Sequence, residues 1–368
     1  MNINTVNNKI YVNVNIDSTE DNGDSILAKS DRTGQIPILD KPEDYYMAIT
    51  RFSIDASDIP LLIPDMRDLV DTNYVFSMRI RQGAGVGFFV ERAVRFISED
   101  KTGNPPVNNG PPAGFNVEDR YFWLYSYQTL IDAFNVTLET LNGFINVANG
   151  GLTPVAPYFI LDRTAGRINL VMPKEYVDEN GDVFVDVGFN IPSLPFFESF
   201  PYFKNETWEF IDPVIWFNYQ RLGEDGHSAF AKNGAAIANP PDFYLFKPEF
   251  TNIGSFSSFK SLVFISQSLP IKNEYIESNI LGGQRSFRKI ITDFTPDVEK
   301  FGDQRGVFSF SQQGPYRLID LRSTMPLYRL DFQVYWQDKN ETLHPLLLRN
   351  GTGMNVKFIF VRKSTYTG

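Results

Sequence analysis

Tyr328-Arg329-Leu330-Asp331-Phe332-Gln333-Val334-Tyr335-Trp336-Gln337 is the stretch on which the fold turns. Successive side chains of a strand point to opposite faces, so large apolar residues repeating every second position specify a half-buried β-strand. The expected inward set is Tyr328, Leu330, Phe332, Val334 and Trp336, and Arg329, Asp331, Gln333 and Gln337 are expected outward. The last strand, Asn355 to Arg362, repeats the pattern with Val356, Phe358 and Phe360 on one face. Before these lie Ser261–Ser268, with the buried-looking run Leu262, Val263, Phe264 and Ile265, then Phe287–Phe294, Val307–Phe310 and Tyr316–Leu321.

The amino-terminal end carries the same signal. In Lys9–Ile16 the residues Ile10, Val12, Val14 and Ile16 share one face. That pattern fits a strand, or an assembly arm (1–16) that becomes one by adding to a neighbour's sheet. Residues 17–44 are polar and rich in Gly and Asp, and are expected to be loop. From Tyr45 to Ile54, Met47 and Ile49 alternate and then, after a shift, Phe52 and Ile54; Pro60 and Pro64 stop regular pairing. Strands are expected at Asn73–Ile80 and Val86–Ile97, around a Gln82–Gly85 turn.

The middle is more mixed. Residues 101–115 hold the densest Pro, Gly and Asn, which marks an exposed loop and a boundary. One helix is expected after the N-cap Ser126. Leu130, Phe134, Leu138, Leu141 and Ile145 form its apolar stripe, with Asp132, Asn135, Glu139 and Asn142 opposite, and Asn149-Gly150-Gly151 ends it. Tyr158–Leu161 and Arg167–Val171 read as a hairpin, and Val183, Val185 and Val187 alternate after a second turn. Residues 190–255, rich in Phe, Trp and Pro, have no clear period. Many strands with one notable helix describe a mainly all-β protein, a single jelly-roll β-sandwich.

Composition agrees. Aromatic residues make up 15% of the 368, including 33 Phe and 17 Tyr, which suit pleated surfaces, and 23 Pro with 26 Gly disfavour long helices. The net charge of −10 and the lack of any Lys/Arg block argue against a nucleic-acid partner. No cysteine is present, so a disulfide frame, a thiolate metal site and a Cys nucleophile are excluded. The first thirty residues lack the basic start and apolar core of a signal peptide, and no run of about 18 apolar residues suggests a membrane span. A protein made in a reducing compartment is expected, so the Asn-X-Ser/Thr matches at Asn135, Asn205, Asn340 and Asn350 are read as chance.

Catalytic chemistry is hard to place. The two histidines, His227 and His344, read as ordinary surface or loop residues, and Gly83–Gly87 opens no helix that could cradle phosphate. Asp178, Asn180 and Asp182 could offer oxygens to calcium, but a tight hairpin needs the same residue types. No catalytic residue, metal ligand or cofactor is expected. Trp208 and Trp216, with Pro195-Phe196-Phe197, are candidate surface aromatic contacts for a carbohydrate, or else core or subunit interface.

Several segments together resemble the penton, or minor capsid, proteins of polinton-like viruses, adintoviruses and virophages. They are Tyr46–Ile54 with Ile59-Pro60-Leu61, Leu262–Ile271 with Glu274, Ile290–Phe294, Tyr316–Leu321 through Asp331–Trp336, Leu346–Leu348 and Lys357–Lys363. The resemblance covers residues 45–65 and 260–363 well and the middle poorly. It implies a structural, non-enzymatic virion protein whose homopentamer sits at the fivefold vertices of a shell of trimeric double-jelly-roll major capsid proteins. A host receptor is a further implied partner; nucleic acid and membrane are not. The implied layout is an arm (1–16), a roll in two parts (17–100 and 255–368) and an inserted outer domain (101–254), although the helix and the hairpin could belong to the roll. The competing function is a receptor- or carbohydrate-binding attachment or fibre protein.

Overall fold

The computed structural model describes residues 2–6, 8–17, 26–55, 59–82, 85–99, 116, 120–148, 150–151, 155–173, 176, 185–200, 203–206, 214–217, 226–227, 243–276, 286–295, 307–311, 317–348 and 351–365. The chain opens with β1 (Asn2–Val6), β2 (Lys9–Asp17), β3 (Ile26–Leu27), β4 (Lys29–Thr33) and β5 (Tyr45–Asp55). Next come β6 (Asp71–Gln82), β7 (Gly85–Arg95), α1 (Tyr127–Ala148), β8 (Tyr158–Asp162), β9 (Arg167–Pro173) and β10 (Val185–Asn190). A short α2 (Leu194–Phe197) precedes β11 (Phe203–Glu206), β12 (Val214–Phe217), β13 (Gly226–His227) and β14 (Phe243–Phe246). The last nine are β15 (Phe259–Ser266), β16 (Glu274–Ile276), β17 (Ser286–Phe294), β18 (Val307–Ser311), β19 (Ile319–Asp320), β20 (Arg329–Asp338), β21 (Leu343–Pro345), β22 (Leu347–Leu348) and β23 (Gly353–Arg362).

These elements divide into two units, Met1–Pro60 with Ser258–Gly368, and Leu61–Ser257. In the first, one antiparallel sheet runs β1-β2-β23-β5-β18 with β19 beside β5, and the other runs β16-β17-β15-β20-β21 with β4 beside β20. Without the short flanking strands, the orders are β2-β23-β5-β18 and β4-β20-β15-β17. Eight strands that pass between two sheets in this way form a jelly roll. Its core is aromatic across the sandwich: Phe52 on β5 lies 5.4 Å from Phe264 on β15 and 4.7 Å from Phe294 on β17. Phe332 on β20 meets Phe358 on β23 at 5.3 Å.

Most readings of the roll hold, and their deviations have causes. The shift of phase inside β5 is a β-bulge, since Lys357 pairs with Arg51 but Phe358 with Ile49. The skipped Thr50 donates its hydroxyl to the Lys357 carbonyl at 3.2 Å. In β20, Leu330, Phe332, Val334 and Trp336 are fully buried as expected. Tyr328 is not: it precedes the strand and is 42% exposed. Asp331, expected outward, is buried, because the connection after β15 folds over it. The expected loop 17–44 contains β4, whose five residues all pair with β20. A polar edge strand with one buried residue, Ser30, shows no alternation to read.

The second unit corrects the domain layout. The strands expected at 73–80 and 86–97 are β6 and β7, and they pair here rather than in the roll, in a sheet ordered β11-β12-β10-β6-β7. The insertion therefore starts at Leu61, not after residue 100. A second sheet runs β13-β14-β9-β8, and α1 packs against β6, β7 and β8. The centre is a Phe cluster in which Phe134 of α1 lies 5.2 Å from Phe76 and 5.9 Å from Phe159.

Two residues of the expected polar face of α1 are buried. Asn135 accepts from the Phe159 amide at 2.6 Å and donates to the Phe159 carbonyl at 3.0 Å, and Asn142 accepts from the Tyr176 hydroxyl at 2.6 Å. Asn135 thus replaces a missing strand partner for buried backbone, whereas Asn142 satisfies a buried phenol. The Asn135 sequon is thus a buried structural residue.

Candidate assembly surfaces

No catalytic constellation forms among the described residues, and no three His, Cys, Asp or Glu side chains there are placed to hold a metal. His344 is neither surface nor loop. On β21 it is buried, stacks on Trp336 at 4.3 Å, and its Nε2 lies 3.0 Å from Asp338 Oδ2. The backbone of His227 pairs with Phe243 in a two-residue strand. The Asp178, Asn180 and Asp182 turn and Trp208 lie outside the described residues. No helix is long and apolar enough to cross a membrane, among those residues.

Trp216 is corrected from surface contact to core: it is 2% exposed, on a strand whose four residues are all buried. The Arg79 guanidinium lies over its ring, 4.1 Å from the centroid. Asp186 Oδ2 accepts from Arg79 Nε at 2.5 Å and from Arg81 Nε at 2.6 Å, a charge-assisted network inside the unit. Phe196 and Phe197 are buried too, so these two aromatic clusters, at 195–197 and around Trp216, are core rather than a sugar platform.

The assembly arm is likewise corrected. β2 pairs along its whole length with β23, from Lys9–Val361 to Asp17–Gly353. Val12, Val14 and Ile16 are buried in this chain's own core, and Ile10 is half-buried. Alternation reports one buried face and cannot say which chain supplies the cover.

The outward faces of the roll carry what no period revealed. On the β2-β23-β5 face, rows of paired outward residues change character along the strands. Asn15, Asn355 and Ser53 make a polar row, and so do Asn13, Lys357 and Arg51. The next row is Tyr11, Ile359 and Ala48, and with Val361 and the half-buried Leu318 it forms an apolar cluster. On the opposite sheet's outward face, Val263, Ile265 and Leu343 cluster with Ile290 and Tyr335. Beside them a hollow of about 240 Å³ is lined by Ile265, Phe287, Arg288, Lys289 and Tyr335 among others. Phe287 is 66% exposed. Burial pushes the Tyr335 phenol up, against a smaller opposing pull from Arg288.

The turn that ends β15 is fixed by Asp331. Burial alone would raise its carboxyl. Hydrogen bonds from the Ser268 hydroxyl, the Gln267 amide, the Ser266 hydroxyl and the Ser268 amide together hold it below the ordinary carboxylate value. Gln267, which lines the hollow, is thereby held in place by a 2.8 Å bond from its amide.

A single jelly roll interrupted by a large insertion is the build of a class, the structural capsid subunits of the minor, or penton, kind. The chain belongs to the Sputnik minor capsid protein V18/19 family, whose model matches residues 9–362. Structural protein V19 of Sputnik virophage is 26% identical over 211 residues, 56% of this chain and 94% of that protein. Uncharacterized protein V18 of the same virophage is 32% identical over 130 residues, 34% of this chain and 75% of that protein. A chain in the cryo-EM structure of the Sputnik virophage superposes with a TM-score of 0.76 at 24% identity, covering 98% of this chain and 99% of that one. The mavirus penton protein shares the fold, with a TM-score of 0.65 at 16% identity over 96% of this chain and 99% of that one.

Proposed function

We propose that five copies of this chain close into a ring at each icosahedral fivefold vertex of a virion. The observation that carries this reading is that a minor capsid family matches a chain with one jelly roll, the unit expected of a vertex plug. Its neighbours in the shell are then trimers of a double-jelly-roll major capsid protein, and the inserted unit presents an outer surface to which a host receptor could bind. The role is one of shape, without catalysis, cofactor, nucleic acid or membrane. The net charge of −10 and the absence of a basic block support a part with no grip on the genome. The absence of cysteine supports assembly in a reducing compartment of the host cell.

Light scattering on the purified chain tests this reading: the expected species is five copies of the 42.0 kDa subunit. A stable trimer sinks it and favours a fibre or attachment protein.

A further inference from the structure

We infer that the hollow beside β15, β17 and β20 is a binding site for a carboxylate, presented by an acidic peptide segment of another protein, with Arg288 as its anchor. The inference goes beyond the penton reading and does not depend on how many copies of the chain assemble.

The wall of the hollow departs from the charge of the chain. Acidic residues outnumber basic ones 44 to 34 overall, yet the described lining holds two cations, Arg288 and Lys289, and no Asp or Glu. Local pairing should have neutralised Arg288. Glu274 stands opposite it in the β16–β17 ladder, where an acid and a base directly opposed attract each other. The Glu274 carboxylate accepts instead from Arg317, which also donates to Asp293. Asp331, under the neighbouring turn, is taken up by Ser266, Gln267 and Ser268. Arg288 is left with a buried Nε that meets no acceptor among the described residues. A buried guanidinium N–H without an acceptor is costly, and a carboxylate bound there removes the cost.

The other groups fit the same ligand. The Lys289 ammonium donates to the Gln267 carbonyl at 3.2 Å, and the Gln267 amide donates to Asp331 at 2.8 Å, so the second cation is held in place before a ligand arrives. That bond uses one of the three donors of an ammonium. The Tyr335 phenol, pushed up by burial, keeps its proton at neutral pH and can donate. Gln267 and Gln333 bring side-chain amides, which pair well with the backbone of an extended peptide. Phe287, 66% exposed, offers its ring to an apolar neighbour of the acidic residue. The net charge of −10 opposes a polyphosphate, which is drawn in through the field of the whole molecule, whereas a single carboxylate is read at contact distance.

The test is fluorescence anisotropy of a labelled, doubly capped peptide of Gly and Ser around a central Glu-Phe-Glu, titrated with the full chain at physiological salt. Saturable binding is expected, and is lost when both Glu are replaced by Gln. R288Q should weaken it about tenfold or more, and R288K nearly as much, because an ammonium cannot make the paired contacts of a guanidinium. F287A, at an exposed position where folding is not at stake, should weaken it to a smaller extent. R92Q, which removes a cation from the insertion instead, should leave it unchanged.

Full affinity in R288Q, equal binding of the Gln peptide, equal weakening in R92Q, or no saturation up to the solubility limit of the chain overturns the inference. Sodium acetate that competes as well as the peptide, carboxylate for carboxylate, reduces the hollow to a small-anion site and overturns the peptide as its occupant. Self-association that excludes the peptide assigns the hollow to a second copy and overturns it too. A trimer in light scattering sinks the penton reading and leaves these outcomes untouched.

Discussion

The roll and the insertion solve the same problem, the burial of a Phe-rich set of side chains, in opposite ways. In the roll each sheet has one face inside and one outside, so β20 alternates and β23 keeps Val356, Phe358 and Phe360 in one phase. In the insertion a strand is covered on both faces: Val185 to Phe189 are buried at every position, as are Val214 to Phe217. Strands buried on both sides can lose their period, as β12 does; β10 still alternates, but its polar positions are buried as well, Asp186 paired with Arg79 and Arg81 and Gly188 set against Trp216. The difference teaches that legibility in sequence follows from solvent contact rather than from the strength of packing.

If both regions are close-packed, their central rings should matter equally despite that contrast. Phe134→Ala in the insertion and Phe332→Ala in the roll are each expected to cost about 3–5 kcal/mol, measured by chemical denaturation. Phe134 touches rings on β6 and β8, and Phe332 bridges the sandwich. A cost below about 1 kcal/mol at either site would show a loosely packed region.

Charge sharpens the comparison next. Asp186→Ala removes the carboxylate that the buried Arg79 shares with Arg81 and should cost about 3–5 kcal/mol in the insertion. A nearly neutral result would mean that water or a rotamer change reaches Arg79. Close strand packing gives a smaller effect. A Cβ on Gly188 would stand 2.8 Å from Trp216 Cε3 and 2.9 Å from the Ile215 carbonyl oxygen, so Gly188→Ala should cost about 1–3 kcal/mol by overpacking. Unchanged stability would mean that β10 and β12 separate at little cost.

In the roll, Asp331→Asn should cost about 1–3 kcal/mol at neutral pH, by weakening the bonds that fix Gln267 and Ser268. Because the carboxyl is held below its ordinary value of 3.8, its stabilisation is present above that pH and is lost as pH falls through the folded value. The gap between wild type and variant should therefore close on acidification below about pH 4. A gap that stays constant down to pH 2 would remove the carboxylate from the explanation.

The sandwich strands were legible one by one, even to the bulge at Thr50, because a break in a period of two is itself a signal. The edge strand β4 was not, since pairing alone fixes it and backbone hydrogen bonds leave no mark on residue type. The buried asparagines of the insertion were misread as a polar face for a related reason. An amide that serves an isolated strand carbonyl, as Asn135 serves Phe159, looks in sequence like one that faces water. The same holds for Asp331 in the roll.

By itself, the sequence determined the β class, the inward faces of β2, β5, β20 and β23, the helix and the absence of thiol chemistry, because local periodicity and composition encode these. Only the tertiary structure decided that the insertion begins at Leu61, that β2 closes this chain's own roll, that Trp216 lies beneath Arg79 and that apolar side chains on the outer side of each sheet of the roll are buried as well. Each of these depends on which residues distant in the chain become neighbours, and a pattern of period two names a buried face without naming what covers it.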